Sequence, residues 1–192
     1  MIRSNYFEKS VSRETLVKIS KYHSFLIENN RKMSLISKNS ENIAIDRHYV
    51  DCAQLIKYLD KSDKTILDII KKDYNLEFST HLVEKSPKKV KFLNEANSFL
   101  DLDIKIHNCD VRMISKKNFT TLVSRAFKPM KEFLEIIIES NIDFKKIILM
   151  KGEKFLEEIN EAKKYFEINC ESHKSITNPS SKVFVIKGVS KI

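Results

Sequence analysis

The sequence contains very little glycine. Only 2 glycines occur in 192 residues, Gly152 and Gly188, and both lie in the last third of the chain. Glycine-rich loops allow backbone N–H groups to approach a phosphate closely, because glycine has no side chain to block that approach. The scarcity of glycine therefore excludes a glycine-rich phosphate-binding loop.

Cysteine is scarce as well. The 3 cysteines, Cys52, Cys109 and Cys170, are far apart and form neither a Cys-x-x-Cys pair nor a Cys/His cluster at metal-ligand spacing. We therefore expect no bound metal and a reducing, cytoplasmic location. The N-terminal residues lack an apolar signal region, and no run reaches the roughly 18 apolar residues that a membrane span requires. We expect a soluble protein without membrane contact.

The chain carries an excess of positive charge. Its 35 Lys and Arg residues oppose 26 Asp and Glu residues, which gives a net charge of +9 and a pI near 9.3. Such a surface attracts polyanions in a salt-dependent way, so RNA or DNA is the partner that charge favours. Charge alone leaves open the alternative of a solvated, lysine-rich surface. The length suits one domain with an N-terminal extension.

Two acids, Asp68 and Glu84, each close a short apolar run that is typical of a buried strand. In open α/β sheets, ligands bind beyond the carboxyl ends of the strands, and an acid about 20 residues after the first strand binds ribose hydroxyls. Asp68 and Glu84 fit that arrangement, although the segment 69–75 between them contains no glycine. The alternative is that both are ordinary strand-end acids facing water.

The N-terminal third is predicted to be helical. Ser12 is a suitable N-cap, and apolar residues recur at helical spacing from there to about Glu28. A second helix is predicted from Ser40 to about Leu59. Residues three or four positions apart share a helix face, and on this helix they are Ala44, His48, Asp51 and Leu55. We assign residues 1–62 to an N-terminal helical cap.

From residue 63 onward, short apolar runs alternate with helical segments. The predicted strands are 65–70, 78–83, 104–107, 121–124, 146–150, 166–171 and 182–186. Helices are predicted after Ser86, from Pro129 and from Glu153. This order predicts an α/β fold in which residues 63–192 form a doubly wound sheet with an antiparallel strand pair at its end. Only seven residues separate the first two strands, so the first crossover helix should be stunted or missing.

Several short motifs occur in an order that resembles the RsmG (GidB) family. In chain order they are Ser34-Leu-Ile-Ser37, Arg47-His-Tyr-Val-Asp51, Ile66-Leu-Asp68, Leu82-Val-Glu84 with Lys88-Lys-Val-Lys-Phe-Leu93, Val123-Ser-Arg-Ala-Phe127, Lys151-Gly152 and Val185-Ile-Lys187. Each motif is weak alone, but together they cover the chain from about Phe25 onward. Members of this family are S-adenosylmethionine-dependent methyltransferases that act on N7 of a guanine in 16S ribosomal RNA.

The resemblance implies a class I methyltransferase (Rossmann-like) fold with a helical cap. It also implies S-adenosylmethionine as cofactor, no metal, and 16S rRNA or the small ribosomal subunit as partner; we expect a monomer. By position, Asp68 would lie beside the methyl donor, Glu84 would bind the ribose hydroxyls and Arg125 would line the pocket. Asp110 and Val111 would lie by the adenine. Arg125 and His48 are the candidates for a catalytic role, which the resemblance itself assigns to no residue.

The basic residues that the resemblance and the charge pattern place toward RNA are Arg47, Lys88, Lys89, Lys128 and Lys151. Two alternatives concern the same region. His48 and Asp51 can be a polar pair that packs the cap on the sheet, and Arg125 can be a strand-end residue that pairs with Glu84 or Asp110.

The sequence departs from the family pattern in three places. The family has an Asp-Val-Gly-x-Gly-x-Gly loop with a further Pro-Gly, whereas residues 69–75 are shorter and glycine-free, so Ile70 should fill space beside the methionine part of the donor. Thr120 stands where the family has an acid, and Asp110 is the nearest acid after the third strand. These changes predict an altered donor site. The protein is then an active methyltransferase, an inactive relative that only binds RNA or the subunit, or a decaying gene product.

Overall fold

The computed structural model describes residues 12–67, 79–115, 118–125 and 127–192, apart from the side chains of residues 46, 47 and 67. The predicted first crossover, and the predicted end of the first strand, lie outside the described residues. Helix α1 (Arg13–Met33) begins as predicted, because Ser12 Oγ accepts the Thr15 N–H at 3.2 Å. It continues past Glu28 and ends at Ser34, which adopts a left-handed conformation with φ 49°.

The second predicted helix is broken into short pieces. Helix α2 (Lys38–Glu41) is followed by a π-helical segment (Ile45–Val50), a single turn α3 (Asp51–Ala53) and a 3₁₀ turn (Gln54–Tyr58). The predicted shared face is confirmed in its burial, since Ala44, Asp51 and Leu55 are buried and His48 is half-buried. Single π-turns are frequent at functional sites, and this one carries His48.

The described strands form one mixed, 7-stranded sheet in the order β3-β2-β1-β4-β5-β7-β6. They are β1 (Thr65–Leu67), β2 (Ser79–Val83), β3 (Ile104–His107), β4 (Thr121–Arg125), β5 (Lys146–Lys151), β6 (Phe166–Lys174) and β7 (Lys182–Lys191). Strands β1 to β5 are parallel, whereas β7 is antiparallel to both β5 and β6. The doubly wound sheet with an antiparallel closing pair is thus confirmed.

Helices cover both faces of the sheet. Helices α5 (Met130–Glu139) and α6 (Phe155–Ala162) pack on one face, in a core that includes Leu134, Ile147 and Phe166. On the other face, Ile148 and Met150 pack with Leu55, Tyr58 and Leu59 of the cap. Ile147 and Ile148 are both 0% exposed on opposite faces, which explains why β5 is a continuous apolar run.

Helix α4 (Pro87–Phe99) links β2 to β3 and packs against the cap. It begins at Pro87 with Ser86 in the N-cap position, as the sequence predicts. The ring of Phe25 from α1 stacks on Phe92 of α4 with centroids 5.4 Å apart. Tyr22 lies 6.4 Å from the same ring. These aromatic contacts place the cap beside the part of the sheet from which Glu84 emerges.

Candidate functional site

The carboxyl ends of the parallel strands meet at one edge of the sheet. Glu84 follows β2, Asp110 comes three residues after β3, and Arg125 is the last residue of β4. The loop 175–181 reaches the same edge, because β6 and β7 enclose it and β7 runs antiparallel to β5. Strand β1 lies between β2 and β4, so the strand order changes direction there. Ligands of open α/β sheets bind at such a switch point.

The Glu84 side chain is held at this edge with acceptor capacity to spare. Its Oε1 accepts the Ser86 N–H at 2.8 Å, and its Oε2 lies 3.8 Å from Lys89 Nζ. The backbone is fixed as well, since Glu84 N–H donates to the His107 carbonyl at 3.1 Å and the Asn108 amide donates to the Glu84 carbonyl at 3.1 Å. A carboxylate accepts about four hydrogen bonds, so Glu84 is chemically suited to bind a pair of hydroxyls.

Asp110 and Val111 form the next part of the edge. Asp110 caps a 3₁₀ turn (Val111–Met113), where its Oδ1 accepts the Arg112 N–H at 3.0 Å and lies 3.4 Å from Arg112 Nη1. Val111 is half-buried and packs against the core under α5. The turn is therefore fixed from within, and Val111 offers an apolar wall beside the carboxyl end of β3.

Arg125 pairs with the cap and not with Glu84 or Asp110. Its Nη2 lies 3.1 Å from Asp51 Oδ2, its Nη1 lies 3.3 Å from His48 Nδ1, and its Nη1 donates to Cys52 Sγ at 3.9 Å. The alternative pairing with Glu84 or Asp110 was wrong. The alternative in which His48 and Asp51 pack the cap on the sheet is supported, and the contact with Arg125 adds to it.

The other oxygen of Asp51 binds the cap and the loop between β6 and β7. Oδ1 accepts hydrogen bonds from Gln54 Nε2 at 2.8 Å, from Ser175 Oγ at 3.3 Å and from the Thr177 hydroxyl. Gln54, only 1% exposed, accepts the Ile176 N–H at 3.0 Å. Sequence reasoning missed these contacts with the loop. The available signal was Gln54, an amide on the apolar face of the predicted cap helix.

The half-buried tyrosines of the cap, Tyr22 and Tyr49, stay neutral. Burial, with a smaller contribution from Cys52, raises the pKa of Tyr22 to about 12. Burial likewise raises the pKa of Tyr49, with Tyr22 contributing. Tyr49 Oη forms a 3.2 Å hydrogen bond with His23 Nδ1. A neutral hydroxyl with so high a pKa is a poor proton acceptor near pH 7, so these rings serve packing.

The predicted RNA-facing cations divide into exposed and buried residues. Lys88 and Lys89 are exposed in the first turn of α4. Lys128 is exposed as well, and its Nζ lies 3.0 Å from Glu132 Oε2. Lys151 is only 6% exposed and lies 2.8 Å from Glu158, while its ammonium also donates to the Lys128 carbonyl. Its assignment to an RNA-facing surface was wrong, because β5 lies inside the sheet and is covered on both sides. The side chain of Arg47 lies outside the described residues.

Two predicted donor-site residues, Asp68 and Ile70, also lie outside the described residues. Thr120, by contrast, is described and lies at the opposite, amino edge of the sheet. Its Oγ1 accepts the Thr65 N–H at 2.8 Å, at the first residue of β1. The prediction that its substitution alters the donor site was wrong.

Within the described part of the chain, no group of three or more His, Cys, Asp and Glu side chains is arranged to hold a metal ion. Among the helices described here, none combines the length and apolarity needed to cross a bilayer.

Comparison with solved structures identifies the fold. A mutant of MtNAS in complex with S-adenosylmethionine matches with a TM-score of 0.54 and 12% identity, over 89% of this chain and 75% of that one. M. jannaschii TYW2 in complex with AdoMet matches with a TM-score of 0.50 and 15% identity, over 82% of this chain and 78% of that one. The predicted class I methyltransferase fold is confirmed.

Comparison with curated sequences is more specific. Ribosomal RNA small subunit methyltransferase G of Pelagibacter ubique is 30% identical over 199 residues, which cover 95% of this chain and 93% of that protein. The protein of the same name from Rickettsia bellii is 28% identical over 190 residues, covering 95% and 98%. The GidB family model, described as rRNA small subunit methyltransferase G, matches residues 15–184. The chain therefore belongs to the GidB family, the rRNA small subunit methyltransferase G proteins.

Proposed function

We propose that this protein transfers the methyl group of S-adenosylmethionine to N7 of a guanine in 16S ribosomal RNA of the small ribosomal subunit. One observation carries the proposal. The family motifs around His48 and Asp51, Glu84 and Arg125 are far apart in the sequence, yet all of them meet at the carboxyl edge of the sheet. Family membership supplies the class of reaction.

The described residues suit the nucleoside part of the donor. Glu84 lies at the end of β2, and its Oε2, 3.8 Å from Lys89 Nζ, keeps the acceptor capacity with which it would bind the ribose hydroxyls. Val111 and the backbone of Asp110 would lie against the adenine. Asp68 and Ile70 remain candidates by sequence position. When bound, S-adenosylmethionine supplies a methyl group on a cationic sulfur, which makes that carbon electrophilic without a metal.

The acceptor requires positioning more than proton transfer. N7 of guanine has a free lone pair and carries no proton, so the attack needs no strong general base. Alignment of the two reactants therefore supplies most of the catalysis. Methylation leaves positive charge on the base. Arg125 is paired with Asp51 at 3.1 Å, so the carboxylate offsets the cation that would otherwise repel the charged product.

Exposed lysines would hold the RNA at this edge. Lys88 and Lys89 stand beside Glu84, and Lys128 follows Arg125 by three residues. Lysine binds phosphate as a point charge, so the interaction is independent of base sequence and sensitive to salt. Arg47 belongs to this set by sequence position. The acceptor base itself would be oriented by Arg125 and His48.

We also propose that the enzyme is a cytoplasmic monomer made of the cap, residues 1–62, and the methyltransferase domain, residues 63–192. Leu55, Tyr58 and Leu59 pack on the sheet, which supports a cap that works as one unit with the domain. The position of Thr120 at the amino edge removes one argument for the inactive alternative. Two arguments remain: the glycine-free segment 69–75, and the displaced acid after the third strand, for which Asp110 is the nearest candidate.

The test is methylation of small ribosomal subunits that lack this modification, with purified protein and methyl-labelled S-adenosylmethionine. We expect label in 16S RNA, recovered as 7-methylguanine after digestion and located by mass spectrometry. Calorimetric titration with S-adenosylmethionine accompanies it. A cooperatively folded protein that binds the small subunit but not the donor would overturn the proposal and establish the RNA-binding alternative.

A further inference from the structure

We infer that Asp51 is the positioning residue for Arg125. Its carboxylate couples the packing of the cap on the sheet to the position of the Arg125 guanidinium at the carboxyl edge. This inference rests on the proposed placement of Arg125 at the reacting base. It concerns three segments that are distant in sequence: the cap around Asp51, the end of β4, and the loop that starts at Ser175.

The two oxygens of Asp51 have different tasks. Oδ2 faces Arg125 Nη2 at 3.1 Å, while Oδ1 accepts from Gln54 at 2.8 Å, from Ser175 at 3.3 Å and from the Thr177 hydroxyl. The residues that bind Oδ1 belong to the cap and to the β6–β7 loop, whereas Arg125 contacts Oδ2. The carboxylate is thereby oriented before the arginine engages it.

Burial restricts the Asp51 carboxylate to this orientation. Asp51 and Ser175 are each 8% exposed and Gln54 is 1% exposed. A buried carboxylate is costly unless it is paired and hydrogen-bonded, and removal of one partner leaves the others unsatisfied. The cluster therefore has a strong preference for one arrangement. That preference is what a positioning residue needs.

Arg125 connects this fixed hydrogen-bond cluster to the carboxyl edge of the sheet. The Arg125 side chain keeps 29% of its surface exposed, compared with 12% for Asp51. A long side chain at the surface samples several rotamers, and fixing it costs entropy at the moment of substrate binding. The Asp51 carboxylate and His48 Nδ1, the latter 3.3 Å from Arg125 Nη1, fix the guanidinium from the cap side and leave its exposed part toward the edge.

A double-mutant cycle on the methylation reaction tests the inference. We expect Asp51→Asn to lower kcat by about 10- to 100-fold, since small misplacements of positioning groups have effects of this size. Arg125→Ala should lower kcat at least as much, and Asp51→Asn should add little in the Arg125→Ala background. Multiplicative losses in the double variant would refute the coupling.

Thr120→Val is the matched control, because it removes hydrogen bonds at the amino edge of the sheet and leaves Asp51, its partners and Arg125 unchanged. It should lower Tm while kcat stays within about twofold of the unmutated value. An equal loss of kcat in Thr120→Val and Asp51→Asn would mean that the cluster acts only through stability, and so would a loss of Tm in Asp51→Asn without a loss of kcat.

A spectroscopic measurement on the unmutated protein tests the inference without requiring enzymatic activity or a folded Asp51 variant. In ¹⁵N spectra of the unmutated protein, assigned with Arg125→Lys, a fixed guanidinium gives separate Nη signals in slow rotation. An averaged Nη signal would refute the inference even if the enzyme is active. Separate signals in a protein that methylates nothing would leave the positioning correct and the proposed function wrong.

Discussion

The Thr120 hydroxyl binds both backbone groups of Thr65. Its Oγ1 accepts the Thr65 N–H at 2.8 Å and donates to the Thr65 carbonyl at 2.7 Å. It also accepts the Lys64 N–H at 3.0 Å. The contacts join the start of β1 to the residue before β4, at the edge of the sheet opposite Glu84 and Arg125. A hydroxyl here accepts backbone N–H groups, as an acid at the same position would.

The first prediction follows from this contact. Thr120→Val removes the hydroxyl while keeping the shape, and should lower the free energy of unfolding by about 1–3 kcal/mol because the Lys64 and Thr65 N–H groups lose their acceptor. Thr120→Ser should retain most of the stability. Urea denaturation measures both. Since the site is at the other edge, the affinity for S-adenosylmethionine should not change in either variant; weaker donor binding in a fully stable Thr120→Val would contradict the placement.

The second prediction concerns donor binding by Glu84. Glu84→Gln removes a charged acceptor for the ribose hydroxyls and should weaken S-adenosylmethionine binding by about 10- to 100-fold, since hydrogen bonds to charged groups contribute about 1.5–3 kcal/mol. Calorimetry should show the same loss for adenosine and little loss for adenine. Glu95→Gln, further along α4 and 4.0 Å from Lys91, is the control that should bind the donor normally.

The third prediction places the RNA at the carboxyl edge. A triple alanine variant of Lys88, Lys89 and Lys128 should bind small-subunit RNA more weakly and with a shallower salt dependence. Each lost phosphate contact lowers the slope of log K against log salt by about 0.7–0.9. The measurement is filter binding or fluorescence anisotropy between low and physiological salt.

A charge-matched control is available at the amino edge. The exposed lysines there include Lys145, Lys163 and Lys164, and their triple alanine variant also lowers the net charge from +9 to +6 (9 − 3). This variant should keep the RNA affinity and slope nearly unchanged. Equal losses in the two triple variants would show that overall charge, and not the carboxyl edge, controls binding.

The elements that the sequence predicted best are those with a local cause. Helix α1 starts at its N-cap Ser12, and β5 is a continuous apolar run because both of its faces are buried. The partner of Arg125 could not be predicted, since Asp51 is 74 residues away along the chain (125 − 51) and only the docking of the cap brings them together. The prediction that Lys151 faces RNA was wrong for a related reason, because a lysine at a strand end gives no local sign that Glu158 will cover it.

The fourth prediction concerns stability against pH at the amino edge. Lys146 Nζ lies 2.7 Å from Asp63 and 3.0 Å from Asp60. Burial acts to lower the pKa of Lys146, but its hydrogen bonds to Asp63 and Asp60 outweigh that effect and raise the pKa above 10.5. Hydrogen bonds from Ser62 and Lys146 lower the pKa of Asp60 below its usual 3.8.

The signs of the two shifts differ. A raised lysine pKa contributes stability that is complete below pH 10.5 and is lost as the pH rises through the folded-state value; a lowered aspartate pKa contributes stability above pH 3.8 that is lost as the pH falls. Lys146→Met should therefore lower the free energy of unfolding at neutral pH and reduce its dependence on pH at both the acid and the alkaline end. Asp60→Asn should reduce mainly the dependence at acid pH. Urea midpoints from pH 3 to 11 test this. If Asp60→Asn lost stability at acid pH as steeply as the unmutated protein does, the prediction would be contradicted.

The last prediction separates a structural lysine from an RNA-binding one. Lys151 is buried against Glu158 at 2.8 Å, and Glu158 also accepts the Met130 N–H at 2.8 Å, at the start of α5. Glu158 keeps 24% of its side chain exposed, so water partly compensates the charge left behind, and Lys151→Ala should lower the free energy of unfolding by about 1–3 kcal/mol. Lys128→Ala, at an exposed site, should change stability by less than about 1 kcal/mol.

RNA binding should show the reverse order for these two variants. Below its melting temperature, Lys151→Ala should keep the salt slope of the unmutated protein, because a buried ammonium releases no counterion from a phosphate. Lys128→Ala should reduce that slope by just under one. A reduced slope in stable, folded Lys151→Ala would return Lys151 to the RNA-facing set and would require that Glu158 releases it when the small subunit binds.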